Sequence, residues 1–177
     1  MPYPAELIDR QEADGSDTST MSTWPLSATE TGTPKHVRVL SGMPDVAVTV
    51  VDRDPLRLAE AGRAFPMVPL DESLDHVLPT VDGVIVATPP GSHAAIAHAA
   101  MRADCHVLVE KPLATTVADC ESLIDAAILN DVHLMVGHTF EHDAAIWKLR
   151  DIANSGELGQ IRSAGHGVAT CRSWWDP

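Results

Sequence analysis

Basic residues are scarce in this chain: Lys and Arg number 12 against 25 Asp and Glu in 177 residues, for a formal net charge of -13. So acidic a chain, with no basic cluster along it, argues against a nucleic-acid or anionic-membrane partner, because both need local cations on the protein. Cysteine is sparse as well. Cys105, Cys120 and Cys171 are odd in number and lack metal-finger spacing, which points to free thiols in a reducing compartment, the cytoplasm, rather than to a disulfide framework. No apolar run approaches the ~20 residues of a membrane helix. Residues 1–20 also hold no apolar stretch behind a basic start, so neither a membrane span nor a secretory signal is read. What is present is enough apolar content, 45% of residues, for one ordinary core and part of a second.

Residues 1–33 are acidic and rich in Ser, Thr and Pro, with no sustained hydrophobic period. Such a composition buries too little apolar surface to offset the entropy of ordering, and reads as a disordered tail. From Pro34 the texture changes. His36 to Leu40 reads as the end of a helix stopped by Ser41-Gly42, and Val46 to Val51 (VAVTVV) as a buried parallel strand, since it is apolar on both faces. Asp54-Pro55 then supplies an N-cap and a first-turn proline for a helix to about Phe65. The pattern continues with a short strand near Met67-Val68, a helix from Asp71 to Val77, a strand from Val81 to Ala87, and a helix from Ser92 to Arg102. Val107 to Val109 and Val132 to Val136 read as further strands, separated by a helix to Leu129 that opens on a Thr116/Asp119 capping box. A helix over 144–154, closed by Ser155-Gly156, leads to a strand expected within 160–170. Strand and helix alternate with short connections, which predicts an α/β fold with an open parallel sheet wound by helices.

In such a sheet, ligands lie outside the carboxyl ends of the strands, and the chemistry-bearing residues fall there. Asp52 ends one strand, Thr88-Pro89-Pro90 another, Glu110-Lys111-Pro112 a third and Gly137-His138 a fourth. An aspartate at the position of Asp52 can accept hydrogen bonds from an adenosine ribose, while the adjacent Arg53 can face a 2′-phosphate, so NAD and NADP both remain open. The plainer alternative is a solvated strand end. Thr88 to Gly91 offers main-chain N–H groups and little bulk for close passage of a cofactor, with His93 beside it; as an ordinary turn it would leave His93 a surface histidine. Pro112 fixes its own φ and keeps Lys111 out of the helical region. There Lys111 can act as an acid or base, or hydrogen-bond a substrate hydroxyl, unless Glu110 and Lys111 are only a solvated charge pair. His138 and His142 are four residues apart, a spacing that suits two metal ligands on one helical face, but no third ligand accompanies them and no metal is expected.

The ordered run VDGVIVATPPGSH, CHVLVEKPLA, VHLMVGHTF and SGELGQI resembles the glucose-fructose oxidoreductase, inositol dehydrogenase and MocA family of NAD(P)-dependent oxidoreductases, from about Lys35 to Gly167. The resemblance implies a Rossmann domain followed by an α/β substrate domain. It also implies NAD or NADP as cofactor, and hydride transfer to or from a sugar, polyol or related carbinol. Lys111 would be the active-site lysine, with Glu110 and the Thr88-Pro89 turn along the cofactor. The segment Gly137 to Phe140 (GHTF) is similar to members acting on nucleotide-linked amino sugars.

Against the family pattern, the apolar first strand and Gly-x-Gly-x-x-Gly turn are replaced by SATETGTPKHVRVL, with Gly32 alone. The expectation is therefore a Rossmann-like sheet lacking its first strand and glycine loop, over 34–140, followed by the start of a truncated second domain over 141–177. Loss of the pyrophosphate-binding loop would weaken cofactor binding. An open sheet edge and the Trp174-Trp175 pair would favour association, including with a second copy of the chain. Two readings follow: an oxidoreductase impaired in turnover, or a non-catalytic fragment or Rossmann-like interaction module.

Overall fold

The computed structural model describes residues 19–24 and 33–160. Among them, six strands form one parallel sheet: β1 (Ser19–Trp24), β2 (Val46–Val51), β3 (Leu70–Asp71), β4 (Gly83–Val86), β5 (His106–Val109) and β6 (Leu134–Val136). The order across the sheet is β3-β2-β1-β4-β5-β6, so the winding reverses between β1 and β4. The connecting helices are α1 (Thr33–Leu40), α2 (Pro55–Ala64), α3 (Leu74–Val77), α4 (His93–Met101) and α5 (Val117–Leu129).

The helices begin where the local chemistry starts them. Asp54 caps α2 by accepting the Leu56 N–H at 2.9 Å, with Pro55 inside the first turn, where its missing N–H leaves no bond unmade. Thr116 caps α5: its hydroxyl accepts the Asp119 N–H at 3.1 Å and donates to Asp119 Oδ2 at 2.7 Å. All four residues of β4 are buried, as a strand inside a wound parallel sheet must be. The larger core joins β4 and β5 to α4 and α5 through Val84, Val86, Val107, Val109, Met101 and Leu123, and a smaller one joins Val37, Val50 and Ala61. Each fully buried Val, Leu or Met among them contributes roughly 1.5–3 kcal/mol.

Three expectations need correction. The first strand is not missing. Ser19–Trp24 lies at the centre of the sheet, parallel to β2 on one side and β4 on the other, with Met21 opposite Val48 and Gly83. Its Ser- and Thr-rich sequence carries no hydrophobic period; a ladder on both sides meets the main-chain hydrogen-bonding requirement that composition alone does not reveal. Residues 25–32, where the family pattern has its glycine turn, lie outside the described residues. The third strand is Leu70–Asp71, paired with Val50 and Val51, rather than Met67-Val68. The Val68 N–H instead closes a turn on Phe65 O at 3.0 Å, and Val68 packs against the smaller core. Finally, α3 starts at Leu74 and not at Asp71, because Asp71 belongs to β3 and its Oδ1 accepts the Ser73 N–H at 2.8 Å.

The chain divides into two compact units after Gly137. In the second, α6 (Ala144–Ser155) is capped by Asp143, which accepts the Ala145 N–H at 2.8 Å, and ends at Gly156. The φ of +82° at Gly156 is one that a side chain would strain. The strand expected within 160–170 and the Trp174-Trp175 pair fall beyond the described residues.

Candidate cofactor site

The carboxyl ends of β2 and β4 flank β1, and between them lies an open cleft of about 440 Å³ bordered by Asp52, Arg53, Arg57, Thr88, Pro89 and Ser92. Asp52 is 3% exposed. Its Oδ1 accepts the Asp54 N–H at 2.9 Å, while its buried Oδ2 has no hydrogen-bond partner. The Arg57 guanidinium stands 3.8 Å from that oxygen, within ion-pair reach but beyond a hydrogen bond, and also 3.6 Å from Asp54. Burial raises the Asp52 carboxyl above its usual range, and the Asp54 N–H and Arg57 oppose the shift.

Thr88 is 2% exposed. The Ser92 hydroxyl lies 2.7 Å from Thr88 Oγ1 and donates to Pro89 O at 2.8 Å, and the Ser92 N–H reaches the same carbonyl at 3.0 Å. The turn after β4 is thus tightly folded beside the cleft before α4 begins.

A second group gathers at the ends of β5 and β6. The Glu110 N–H continues the ladder to Val86 O at 2.8 Å, and the carboxylate turns back so that Oε1 lies 2.9 Å from His36 Nε2 of α1. Its Oε2 accepts the Lys111 N–H at 3.3 Å. A Cβ at Gly137 would stand 3.1 Å from that oxygen, close enough that the Glu110 carboxylate would have to give by a few tenths of an ångström. Lys111 is exposed, and its peptide bond to Pro112 is cis.

His93 stands between the two groups. An ordinary turn would leave it on the surface, but it is 1% exposed, with Nε2 2.6 Å from Thr88 O and Nδ1 2.8 Å from Pro112 O. Both ring nitrogens face main-chain oxygens. The structure therefore brings Asp52, Arg53, Thr88 and Pro89 together at one cleft, groups Glu110 and Lys111 with His36 and Gly137, and links the two sets through His93. Arg57, Ser92 and His36 were not anticipated. Arg57 and Ser92 lie one helical turn beyond Asp54 and Pro89, a spacing that signals contact, whereas His36 is 74 residues from Glu110 and nothing local joins them.

A second hollow of similar volume, about 440 Å³, is bordered by Ile124, Ile128, Val132 and Leu134. It lies at the amino end of β6, away from the strand ends where the site residues gather. Among the described residues no three His, Cys, Asp or Glu side chains are grouped to hold a metal ion. No described helix is long and apolar enough to cross a membrane.

The sheet order, the cleft at its reversal point and an acidic residue closing β2 define an α/β dinucleotide-binding fold. Residues 29–138 match the oxidoreductase family with an NAD-binding Rossmann fold, that of glucose-fructose oxidoreductase, inositol dehydrogenase and MocA, and the chain belongs to that family. The match begins after β1. The chain is 36% identical over 132 residues to dTDP-3,4-didehydro-2,6-dideoxy-alpha-D-glucose 3-reductase of Saccharopolyspora spinosa, covering 71% of this chain and 39% of that protein. It is 38% identical over 81 residues to inositol 2-dehydrogenase of Salmonella typhimurium, covering 45% of this chain and 24% of that one. The fold is shared with the WlbA dehydrogenase of Bordetella pertussis, solved in complex with NADH and UDP-GlcNAcA, at a TM-score of 0.70 and 24% identity over 81% of this chain and 45% of that one. This chain thus spans less than half the length of each of these relatives.

Proposed function

We propose that this chain forms the NAD-binding part of an oxidoreductase that moves a hydride between nicotinamide and a hydroxyl-bearing carbon of a sugar, polyol or nucleotide-linked sugar. The observation that carries the reading is the buried, unpartnered Oδ2 of Asp52 at the cleft between β2 and β4. A buried acceptor without a donor is unfavourable by roughly 1–3 kcal/mol, and the hydroxyls of an adenosine ribose are donors of the right kind. The same oxygen favours NAD over NADP, because a 2′-phosphate would set its charge against the carboxylate, with Arg53 and Arg57 offsetting only part of the repulsion.

The Thr88-Pro89 turn, small and tightly folded, borders the path of the dinucleotide, with Glu110 near the nicotinamide half. Lys111, exposed just past the carboxyl end of β5, holds the substrate hydroxyl by donating to its oxygen, which favours loss of the hydroxyl proton as the hydride leaves. Bound NAD supplies the hydride acceptor. Names among the relatives, a nucleotide-sugar reductase and an inositol dehydrogenase, support a polyhydroxylated substrate. The free thiols of Cys105 and Cys120 suit a cytoplasmic setting. Cofactor binding without turnover is the second reading, favoured by the sequence between β1 and α1, PLSATETG, which offers one glycine where the family pattern has three.

Calorimetric titration of NADH and NADPH into the full chain, followed by assay of nicotinamide reduction with inositol, glucose and UDP-N-acetylglucosamine, separates the two. The proposal expects NADH to bind more tightly than NADPH, and one of the substrates to be oxidised. Binding without reduction of NAD supports the second reading. No heat at millimolar NADH removes both.

A further inference from the structure

His93 is fully buried, and both of its ring nitrogens face main-chain carbonyls. Its two ring nitrogens sit 2.6 Å from Thr88 O and 2.8 Å from Pro112 O. Carbonyl oxygens only accept, so the ring must supply the proton in each bond: a ring with one N–H serves one carbonyl, and a ring with both serves both. Thr88 belongs to the turn after β4 that borders the cleft, and Pro112 to the turn after β5 that carries Lys111. One side chain therefore stands between two loops that are far apart in sequence and adjacent in the sheet, and it bonds the loop toward which a ring N–H points.

The two loops depend on that fastening unequally. The turn after β4 is held independently by the Ser92 hydroxyl and N–H on Pro89 O, at 2.8 and 3.0 Å. Beside Lys111, the contact from its own N–H to Glu110 Oε2 is long, at 3.3 Å, and both Lys111 and Pro112 are exposed. The contact from His93, part-buried and 2.8 Å long, is the short one in this turn.

We infer that His93 is a positioning residue that locks the Lys111-Pro112 turn to the wall of the cofactor cleft and so sets where the Lys111 ammonium stands. The inference rests on the proposed reading of the cleft and of Lys111. It assigns His93 a role without direct contact to cofactor or substrate.

The test uses the full chain and three substitutions at one position. His93→Leu keeps the bulk and removes both donors. His93→Asn returns an amide nitrogen near the place of Nδ1, facing Pro112 O, and His93→Gln returns one near Nε2, facing Thr88 O. NADH binding reads the whole site, and ADP binding reads the Asp52 end alone. His93→Leu is expected to weaken NADH about tenfold, the equivalent of one lost buried hydrogen bond, and to leave ADP within about twofold. His93→Asn is expected to restore most of the NADH affinity and His93→Gln less.

Nitrogen-15 spectra of the unmodified chain should show the His93 Nδ1 proton, which faces Pro112 O, protected from exchange with water. Equal NADH affinity in the parent and His93→Leu would overturn the inference, as would equal loss of NADH and ADP, or ring protons that exchange freely. Rescue by glutamine and not by asparagine would overturn the assignment to Pro112. A parent chain that binds neither NADH nor ADP defeats the cofactor reading alone, and the ring-proton measurement, which also stands if His93→Leu fails to fold, then decides the clamp.

Discussion

Asp52→Asn separates the binding role of this side chain from its effect on stability, and the two should move in opposite directions. The substitution preserves shape, and its Oδ1 can still accept the Asp54 N–H that now lies at 2.9 Å. It removes the charge at the position of Oδ2, where the structure has no hydrogen bond and an arginine 3.8 Å away. A hydrogen bond to an ionised acceptor is worth about 1.5–3 kcal/mol against about 0.5–1.5 kcal/mol for a neutral pair, so replacing one weakens NADH by about 1.4 kcal/mol, or tenfold. NADPH, relieved of repulsion, should weaken less or bind more tightly. Stability responds the other way. Because burial raises the folded-state pKa of Asp52, the folded chain holds its proton more tightly than the unfolded chain. Its stability therefore falls as pH rises from the usual carboxylate range through that higher folded value. The asparagine variant lacks this loss and should melt at a higher temperature than the parent at neutral pH, with the difference shrinking in acid. Calorimetric titration and thermal melts across pH provide both readouts. Unchanged NADH affinity together with an unchanged ratio of NADH to NADPH would refute the ribose assignment; a lower melting temperature at neutral pH would refute the account of the buried charge.

Gly137→Ala would place a Cβ 3.1 Å from Glu110 Oε2, displacing the carboxylate from His36. The expected outcome is a shift of the His36 ring resonances with a stability change below about 1 kcal/mol, since both partners are partly exposed. Thr116→Ala removes the cap of α5 and should destabilise the chain by about 1 kcal/mol in denaturant unfolding. Asp71, whose carboxyl is lowered chiefly by the Ser73 N–H and further by His76, stabilises the fold above the usual carboxylate range and loses that contribution as pH falls through its lower folded value. Asp71→Asn should therefore be less stable than the parent at neutral pH and converge with it in strong acid, as followed by melts at several pH values.

Runs of β-branched and apolar residues made β2, β4, β5 and β6 legible; in β4 the run is buried throughout, as a strand covered on both faces requires, while β6 keeps the same composition at the sheet edge with Met135 exposed. β1 was not legible: Ser19, Thr20, Ser22 and Thr23 give it a polar texture, and its place comes from pairing with β2 and β4. The strand-end logic of a parallel sheet was enough to gather Asp52, Thr88 and Glu110 as candidates. It did not reveal that Glu110 turns back toward α1, since the His36 contact spans 74 residues. His93 shows the same limit from the other side. Its position after Pro89-Pro90-Gly91 looks like a surface turn, whereas the ring is buried with Thr88 O and, from the neighbouring strand's loop, Pro112 O against its two nitrogens.

Amide chemical-shift mapping with NADH tests the central claim most directly, because it reports where the cofactor sits as well as whether it binds. Shifts confined to 52–57, 88–93 and 110–111 are predicted. No shifts at saturating NADH, or shifts centred on the hollow near Ile124 and Leu134, would contradict it.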